Sequence, residues 1–313
     1  MSARRPFRFG VQSSSPTDAA GWRERARKIE GLGYSTLLMP DHFVDTELAP
    51  MVGLSCAAAA TDSLRVGPLV LGNDYKHPAV VAKEAATLDV LSGGRLELGI
   101  GAGWLTSDYA ALGLPYDDAV TRIERLAEAV EIVRRCWATE AFSFEGAHYT
   151  IREYDALPKP LQQPRPPLLM GGGGRQMLTL AGRAADIVGI NPNLREGEIG
   201  SGAARNTLAA ATQRKVDWVR TAAGQRIDHI ELQIRYFLAA ITDDARGLAT
   251  AVASSFGVDA DDALASGTVL VGTVDEVCDT LVARREQWGV SYVVVGDDQF
   301  EAFGPVVARL AGT

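Results

Sequence analysis

The sequence predicts an α/β fold, a (β/α)8 TIM barrel in which residues 1–313 make a single domain. Three observations carry this. A short apolar run, a polar turn and an amphipathic helical stretch recur eight times along the chain. Strands alternating with helices imply a parallel sheet, and eight of them favour a closed barrel over an open doubly wound sheet. The length of 313 residues suits one such barrel with insertions, and no composition shift marks a domain boundary.

The elements follow in order. Phe7, Phe9 and Val11 alternate as a first strand; Ala19, Trp22, Ala26 and Ile29 then make a helical stripe ending at Gly31 and Gly33. A second strand spans 34–39 and ends in Pro40-Asp41-His42. A third covers 64–71, before a helix on which Val81, Ala85, Leu88 and Leu91 share a face. The fourth is 95–100, its helix showing Ile123, Leu126, Val130, Val133 and Trp137. The fifth is 167–170, the sixth 186–191, the seventh 230–241 and the eighth 291–296. Thr273 and Glu276 form a capping box for the helix that feeds the eighth.

Four segments exceed the repeat: 105–121 after strand four, 142–165 as a β-hairpin with a Pro-rich return, 192–211, and 242–268. The insertions after strands four, six and seven are thus long, and the Gly/Ala-rich 192–211 is expected to be mobile. All four are expected after C-terminal ends of strands, where a barrel builds its active site.

The bulk numbers exclude several classes. With 31 basic and 39 acidic residues the net charge is −8, which argues against nucleic acid as a partner and for a soluble, cytoplasmic protein. Three distant cysteines, Cys56, Cys136 and Cys278, do not make a disulfide framework. None of the four histidines has metal-ligand spacing to another histidine or a cysteine, so no metal is expected. The basic start lacks the apolar stretch of a signal peptide, and no run is long enough to span a membrane.

The strongest local feature is the run Gly171-Gly172-Gly173-Gly174, between Leu168-Leu169-Met170 and a helix opening at Arg175. A strand that passes through glycine into a helix leaves N–H groups pointing one way, with the helix dipole behind them: a phosphate cradle. The alternative is a sharp turn without a ligand. Asp41-His42 stands at the end of strand two. A histidine there can serve as general acid or base, with the adjacent carboxylate tuning it or binding a cofactor; otherwise the histidine caps a loop.

Gly99-Ile100-Gly101-Ala102-Gly103-Trp104 fails the dinucleotide fingerprint, since Trp104 stands where the third glycine belongs. It reads as a strand end where a flat ring lies against Gly101 and Ala102, or as tight barrel packing. In Gly72-Asn73-Asp74-Tyr75-Lys76-His77-Pro78, Asn73 can bond a heterocycle edge, and Tyr75 and Lys76 can reach substrate. Equally, Asn73-Asp74 can be a turn, with Pro78 opening the helix and Lys76 solvated.

Asp41-His42, residues 73–104 and residues 170–191 together resemble the bacterial luciferase-like superfamily, and within it the branch that uses coenzyme F420, a deazaflavin. The resemblance extends over 7–311. It implies a TIM barrel that holds a flavin or deazaflavin ring at its C-terminal mouth, with the phosphate on the glycine turn. It implies cofactor contacts from Asp41 and catalysis by His42. Leu69-Val70 falls where the family has a non-prolyl cis peptide supporting the ring, and Gly171 and Gly172 match phosphate-binding glycines.

Two departures bear on substrate. Members that oxidise sugar phosphates carry Glu where this chain has Trp104, and Asn where it has Ser107. A sugar phosphate is therefore not expected, and Trp104 points to a more apolar or aromatic small molecule. The expected activity is hydride transfer between deazaflavin C5 and an organic substrate, reducing an activated C=C, C=N or C=O bond or the reverse. The alternatives are an FMN-dependent monooxygenase and a flavin-binding protein without catalysis. A homodimer or higher homo-oligomer is expected.

Overall fold

The computed structural model describes residues 5–15, 18–44, 46–194, 197, 201–256 and 259–313. The first four residues and five positions of the 192–211 segment lie outside these, so its expected mobility is untested there. Strand β1 (Arg8–Gln12) shows how the sequence builds the barrel. Phe9 packs outward on Phe303 of a covering helix, while Arg8 and Gln12 point inward. After it come α1 (Ala19–Gly31), β2 (Thr36–Met39), α2 (Pro50–Ala60), β3 (Arg65–Pro68) and β4 (Leu71–Gly72). Next are α3 (Pro78–Leu91), β5 (Leu98–Gly101), α4 (Thr106–Leu112), α5 (Ala119–Trp137), and the hairpin β6 (Phe142–Glu145) and β7 (Thr150–Tyr154). Then follow β8 (Leu168–Gly172), α6 (Arg175–Ala184), β9 (Ile187–Ile190), α7 (Ser201–Arg205) and α8 (Ala209–Ala223). The chain continues through β10 (Glu231–Arg235), β11 (Leu238–Ile241), α9 (Ala245–Phe256), α10 (Ala260–Ala265) and β12 (Val269–Gly272). It closes with α11 (Val274–Trp288), β13 (Val290–Gly296) and α12 (Phe300–Leu310).

The main sheet is parallel, in the order β3-β2-β1-β13-β10-β9-β8-β5-β4. Its two ends, β3 and β4, belong to one extended segment, so the sheet comes round on itself as an eight-position barrel. The stripe Trp22, Ala26 and Ile29 is buried, as its spacing requires, and Thr273 with Glu276 makes the capping box of α11. Two of the apolar clusters are built on the main sheet. The larger fills the space between sheet and helices; the smaller, Leu38, Leu169, Ile187, Tyr292 and Val294, lies inside the barrel with Leu69 and Val70 against it.

Four expectations need correction. The third strand is broken between β3 and β4, where the Leu69–Val70 peptide is cis. The seventh, expected as one strand, is β10 followed by β11. The latter leaves the barrel to pair in parallel with β12, a strand the sequence did not announce. The hairpin follows α5 rather than a strand end. Its tip is carried back along the helix because the Glu128 carboxylate accepts the N–H groups of Ala147, His148 and Tyr149. Leu91 is exposed at 77%, because ten residues at helical pitch carry it off the stripe begun at Val81.

The end of the barrel opposite the mouth is closed by ions. Glu97, 2% exposed, accepts from Arg8 at 2.5 Å and Arg65 at 2.7 Å, and Arg8 also pairs with Glu231 at 2.6 Å. The Arg8 guanidinium lies 3.6 Å from the Tyr292 ring centroid. Burial would push the Glu97 carboxyl up, but the two guanidiniums hold it below its ordinary value. No helix among the described residues is long and apolar enough to cross a membrane.

Candidate active site

Asp41 and His42 follow β2 directly, at the C-terminal mouth. The Asp41 Oδ2 accepts the Gly72 N–H at 3.0 Å, which ties this loop to β4. Burial raises the Asp41 carboxyl above its ordinary value, against that hydrogen bond and the charges of Lys76 and His42. The carboxylate that holds His42 is not its neighbour Asp41 but Asp108, with Nδ1 and Oδ2 2.7 Å apart. Asp108 is fully buried on α4, and its Oδ1 accepts the N–H groups of Phe43 and Val44 at 2.9 Å each.

Burial opposes ionisation of Asp108, but His42 and the two N–H groups outweigh it and hold the carboxyl below its ordinary value. An ionised acceptor requires Nδ1 to carry the proton, which leaves Nε2 as the imidazole atom available for chemistry. Trp104, half-buried, stands edge-on to His42 with ring centroids 5.5 Å apart. Tyr75 donates to Asp108 Oδ2 at 3.4 Å. Burial and the Asp108 charge push the Tyr75 hydroxyl far above its ordinary value, so it stays protonated.

Sequence reasoning singled out Ser107 and missed Asp108 beside it. One helical step separates their side chains by about 100°; Ser107 is exposed, whereas Asp108 and Tyr109 are buried. The available signal was the i, i+3, i+4 set Leu105, Asp108, Tyr109, which puts a carboxylate among core positions.

The ring platform expected at Leu69, Val70 and Gly101 is assembled on neighbouring strands. The Leu69 N–H donates to the Met39 carbonyl at 2.7 Å, and Gln12 Nε2 donates to the Leu69 carbonyl at 3.2 Å. A Cβ at Gly99 would stand 2.0 Å from the Pro68 carbonyl oxygen, so packing alone demands that glycine. At Gly101 it would stand 2.8 Å from Val70 Cγ2. Ala102 follows, half-buried. Asn73 turns towards the hairpin: its Nδ2 donates to the Tyr149 hydroxyl at 3.2 Å, and its Oδ1 is buried without a partner. It lines a cleft of about 390 Å³ with Lys76, His77 and Arg125. Lys76 is solvated and pairs with Glu84, and the histidine that serves as a cap is His77, on α3.

At the glycine turn each residue has its own constraint. A Cβ on Gly171 would meet Asn191 Nδ2 at 2.9 Å, and on Gly172 the Met177 side chain at 2.6 Å. On Gly173 it would fall 2.2 Å from the Pro192–Asn193 backbone. Gly174 is different: the nearest atom to its added Cβ, Asn193 Oδ1, is 3.9 Å away. Gly174 is the N-cap of α6, and no side chain caps that helix. The N–H groups of its first turn therefore remain for an anion, and a phosphate fits that donor set. Arg175, at the first helical position, is exposed. A larger cleft, about 580 Å³ between α5 and α6, includes Arg175 and Arg183 but none of the His42 group.

Known proteins resemble this chain in sequence and in fold. An FMNH(2)-dependent dimethylsulfone monooxygenase of Pseudomonas putida is 34% identical over 139 residues, 44% of this chain and 38% of that one. An F420-dependent glucose-6-phosphate dehydrogenase of Microbacterium testaceum is 32% identical over 192 residues, 58% of this chain and 55% of that one. The matched region thus spans about half the length of these relatives or less. Among solved structures, a coenzyme F420-dependent tetrahydromethanopterin reductase from Methanopyrus kandleri superposes with a TM-score of 0.78 at 20% identity, over 98% of this chain and 99% of that one. That likeness concerns the fold. Residues 4–292 match the model of the luciferase-like monooxygenases, and the chain belongs to that family.

Proposed function

We propose that this protein is a coenzyme F420-dependent oxidoreductase of the cytoplasm that acts on a small organic substrate. The observation that carries the reading is His42, fixed by Asp108 at the same barrel mouth as the Leu69–Val70 platform and the uncapped α6. The deazaflavin, when bound, supplies or takes up hydride at C5, and the protein's part is binding, orientation and proton supply. In this reading Asp41, Leu69, Val70, Gly101 and Ala102 seat the ring, while Gly171–Gly174 and Arg175 hold the phosphate. His42 Nε2 gives or takes the proton that accompanies the hydride. Trp104, Tyr75 and Ser107 border the substrate, and Trp104 favours an apolar or aromatic one.

An FMN-dependent monooxygenase is the second reading, favoured by the dimethylsulfone monooxygenase among the relatives. Titration of the tryptophan fluorescence with each cofactor separates them. Tighter binding of coenzyme F420 supports the first; sub-micromolar FMN binding with none of coenzyme F420 moves the protein to the second. Gly174→Asp tests the phosphate site. Its Cβ meets nothing closer than Asn193 Oδ1 at 3.9 Å and aspartate is a good N-cap, so the variant should be as stable as the parent or more so, by about 1 kcal/mol. Its carboxylate should nonetheless repel the phosphate and weaken cofactor binding at least tenfold. Unchanged affinity would leave the turn purely structural.

We also propose a homodimer or higher homo-oligomer, supported by Val52 on α2 and Val80, Val90 and Leu91 on α3, apolar side chains exposed on adjacent helices. Light scattering should report at least twice the chain mass, and less for Leu91→Arg.

A further inference from the structure

The inner wall of the barrel opposite the platform carries polar groups that the reading above leaves unused. On β10 the side chains alternate: Leu232 and Ile234 join the outer core, and Glu231, Gln233 and Arg235 face the barrel interior. Only the lowest of the three is balanced by an opposite charge, since Glu231 pairs with Arg8. Gln233 is 0% exposed, and neither its Oε1 nor its Nε2 has a hydrogen-bond partner. Beside it, a Cβ on Gly189 would stand 2.8 Å from Gln233 Oε1, so the absence of a side chain there keeps the amide unobstructed.

Arg235, one inward position nearer the mouth, donates from Nε to Gln12 Oε1 at 2.9 Å and from Nη1 to the Tyr236 carbonyl. Among the described residues no carboxylate forms an ion pair with it. The nearby charge of Asp298, an exposed residue, supports the guanidinium, but burial outweighs it and pulls the group down to about 10. Its Nη2 and Asp298 Oδ1 flank Gly296, 2.9 and 2.8 Å from where a Cβ would be, so that carboxylate stands beside the guanidinium without forming an ion pair. Gln12 reaches from Arg235 to the Leu69 carbonyl, so the polar wall and the ring platform are joined by hydrogen bonds.

A half-buried guanidinium held in no ion pair and a buried amide with both ends free are each costly, and such groups persist where a ligand completes them. We propose that Gln233 and Arg235 recognise a carboxylate on the substrate, which makes the substrate class small organic acids. The proposal rests on the mouth being the redox site. A planar two-oxygen anion matches the guanidinium fork and one amide donor. A phosphate would require more donors than this wall offers, and the turn at α6 supplies them instead.

Calorimetric titration with cinnamate and its uncharged analogue cinnamamide tests this, using protein with and without coenzyme F420. The wild type should bind cinnamate at least tenfold more tightly than cinnamamide. Arg235→Met should remove that preference, lowering cinnamate affinity 10–100-fold with little change for cinnamamide, and Arg235→Lys should restore part of it. Gln233→Leu should weaken both probes. Equal binding of the two probes, no binding of either, or unchanged cinnamate affinity in a folded Arg235→Met variant overturns the proposal. So does an Arg235→Met variant whose loss is in cofactor affinity instead. Failure of the wild type to bind either cofactor would sink the redox reading separately, because the probe preference is measured without cofactor as well.

Discussion

The two ends of the barrel differ in how many of their polar groups are completed within the chain. At the N-terminal ends of the strands, Arg8, Arg65, Glu97 and Glu231 contact one another, and each ion there has an opposite charge within 2.7 Å. At the C-terminal ends Asp108 is completed by His42 and two N–H groups, but Asp41 is held by one backbone N–H, and among the described residues Arg235 has no paired carboxylate and Gln233 no partner. The polarity of the side chains is similar; the difference lies in completion. A cluster that neutralises itself offers a ligand nothing and serves as a plug. Groups left open in the same low-dielectric interior await a molecule.

The largest expected effects break this contrast or establish it. Glu97→Ala leaves two guanidiniums facing each other inside the plug and should destabilise the fold by about 3–5 kcal/mol, read by urea unfolding. His42→Ala should lower turnover by ~10²–10⁴-fold with cofactor affinity little changed, at a smaller cost in stability than Glu97→Ala because Asp108 keeps two N–H donors. If Glu97→Ala leaves stability intact, or His42→Ala unfolds the protein, the division into plug and site fails.

A smaller effect sharpens it through pH. The folded Glu97 carboxyl lies below its ordinary 4.5, so its stabilisation is present above that value and is lost as acid carries the pH down through the folded value. Asp41 is displaced the other way from 3.8: its ionised form costs stability at neutral pH, and the cost is relieved as the pH falls through the raised value. Asp41→Asn should therefore gain roughly 0.5–1 kcal/mol at pH 7, and the gain should shrink in acid. Glu97→Gln should instead show a deficit at pH 7 that narrows below about 4.5. Urea unfolding at pH 4 and 7 reads both; the same sign for both variants at pH 7 would contradict the assignment.

The helices were legible because their stripes repeat at helical pitch, as with Trp22, Ala26 and Ile29. The break in the seventh strand was not, since Ile230–Ile241 runs on without a glycine or proline, whereas the break in the third was signalled by Gly67-Pro68 and hidden only by the apolar residues around it. Strand β12 is only four residues long and directly follows the loop at 266–268. Asp41 and His42 could be read as a pair because they adjoin in sequence, whereas His42 and Asp108 are brought together only by folding. The wall at Gln233 and Arg235 escaped for a related reason. The alternation in Glu231–Arg235 is plain, but a strand pattern alone does not say which face looks into a barrel and which onto helices.

The excursion after the seventh barrel position has a consequence for how such a protein changes over generations. β11 and β12 pair in parallel outside the cylinder, and between them α9 and α10 pack on a small cluster of their own, Ala249, Ala253 and Ala263. The unit is a miniature crossover clipped to the parent by its own ladder, and none of its strands belongs to the barrel ring. Sequence drift, or exchange for a unit of another length, can then proceed there with the cylinder undisturbed, because lengthening a closed loop adds little to its closure entropy. Diversification is thereby uncoupled from foldability: new chemistry can be tried at the rim while the inherited frame stays constant.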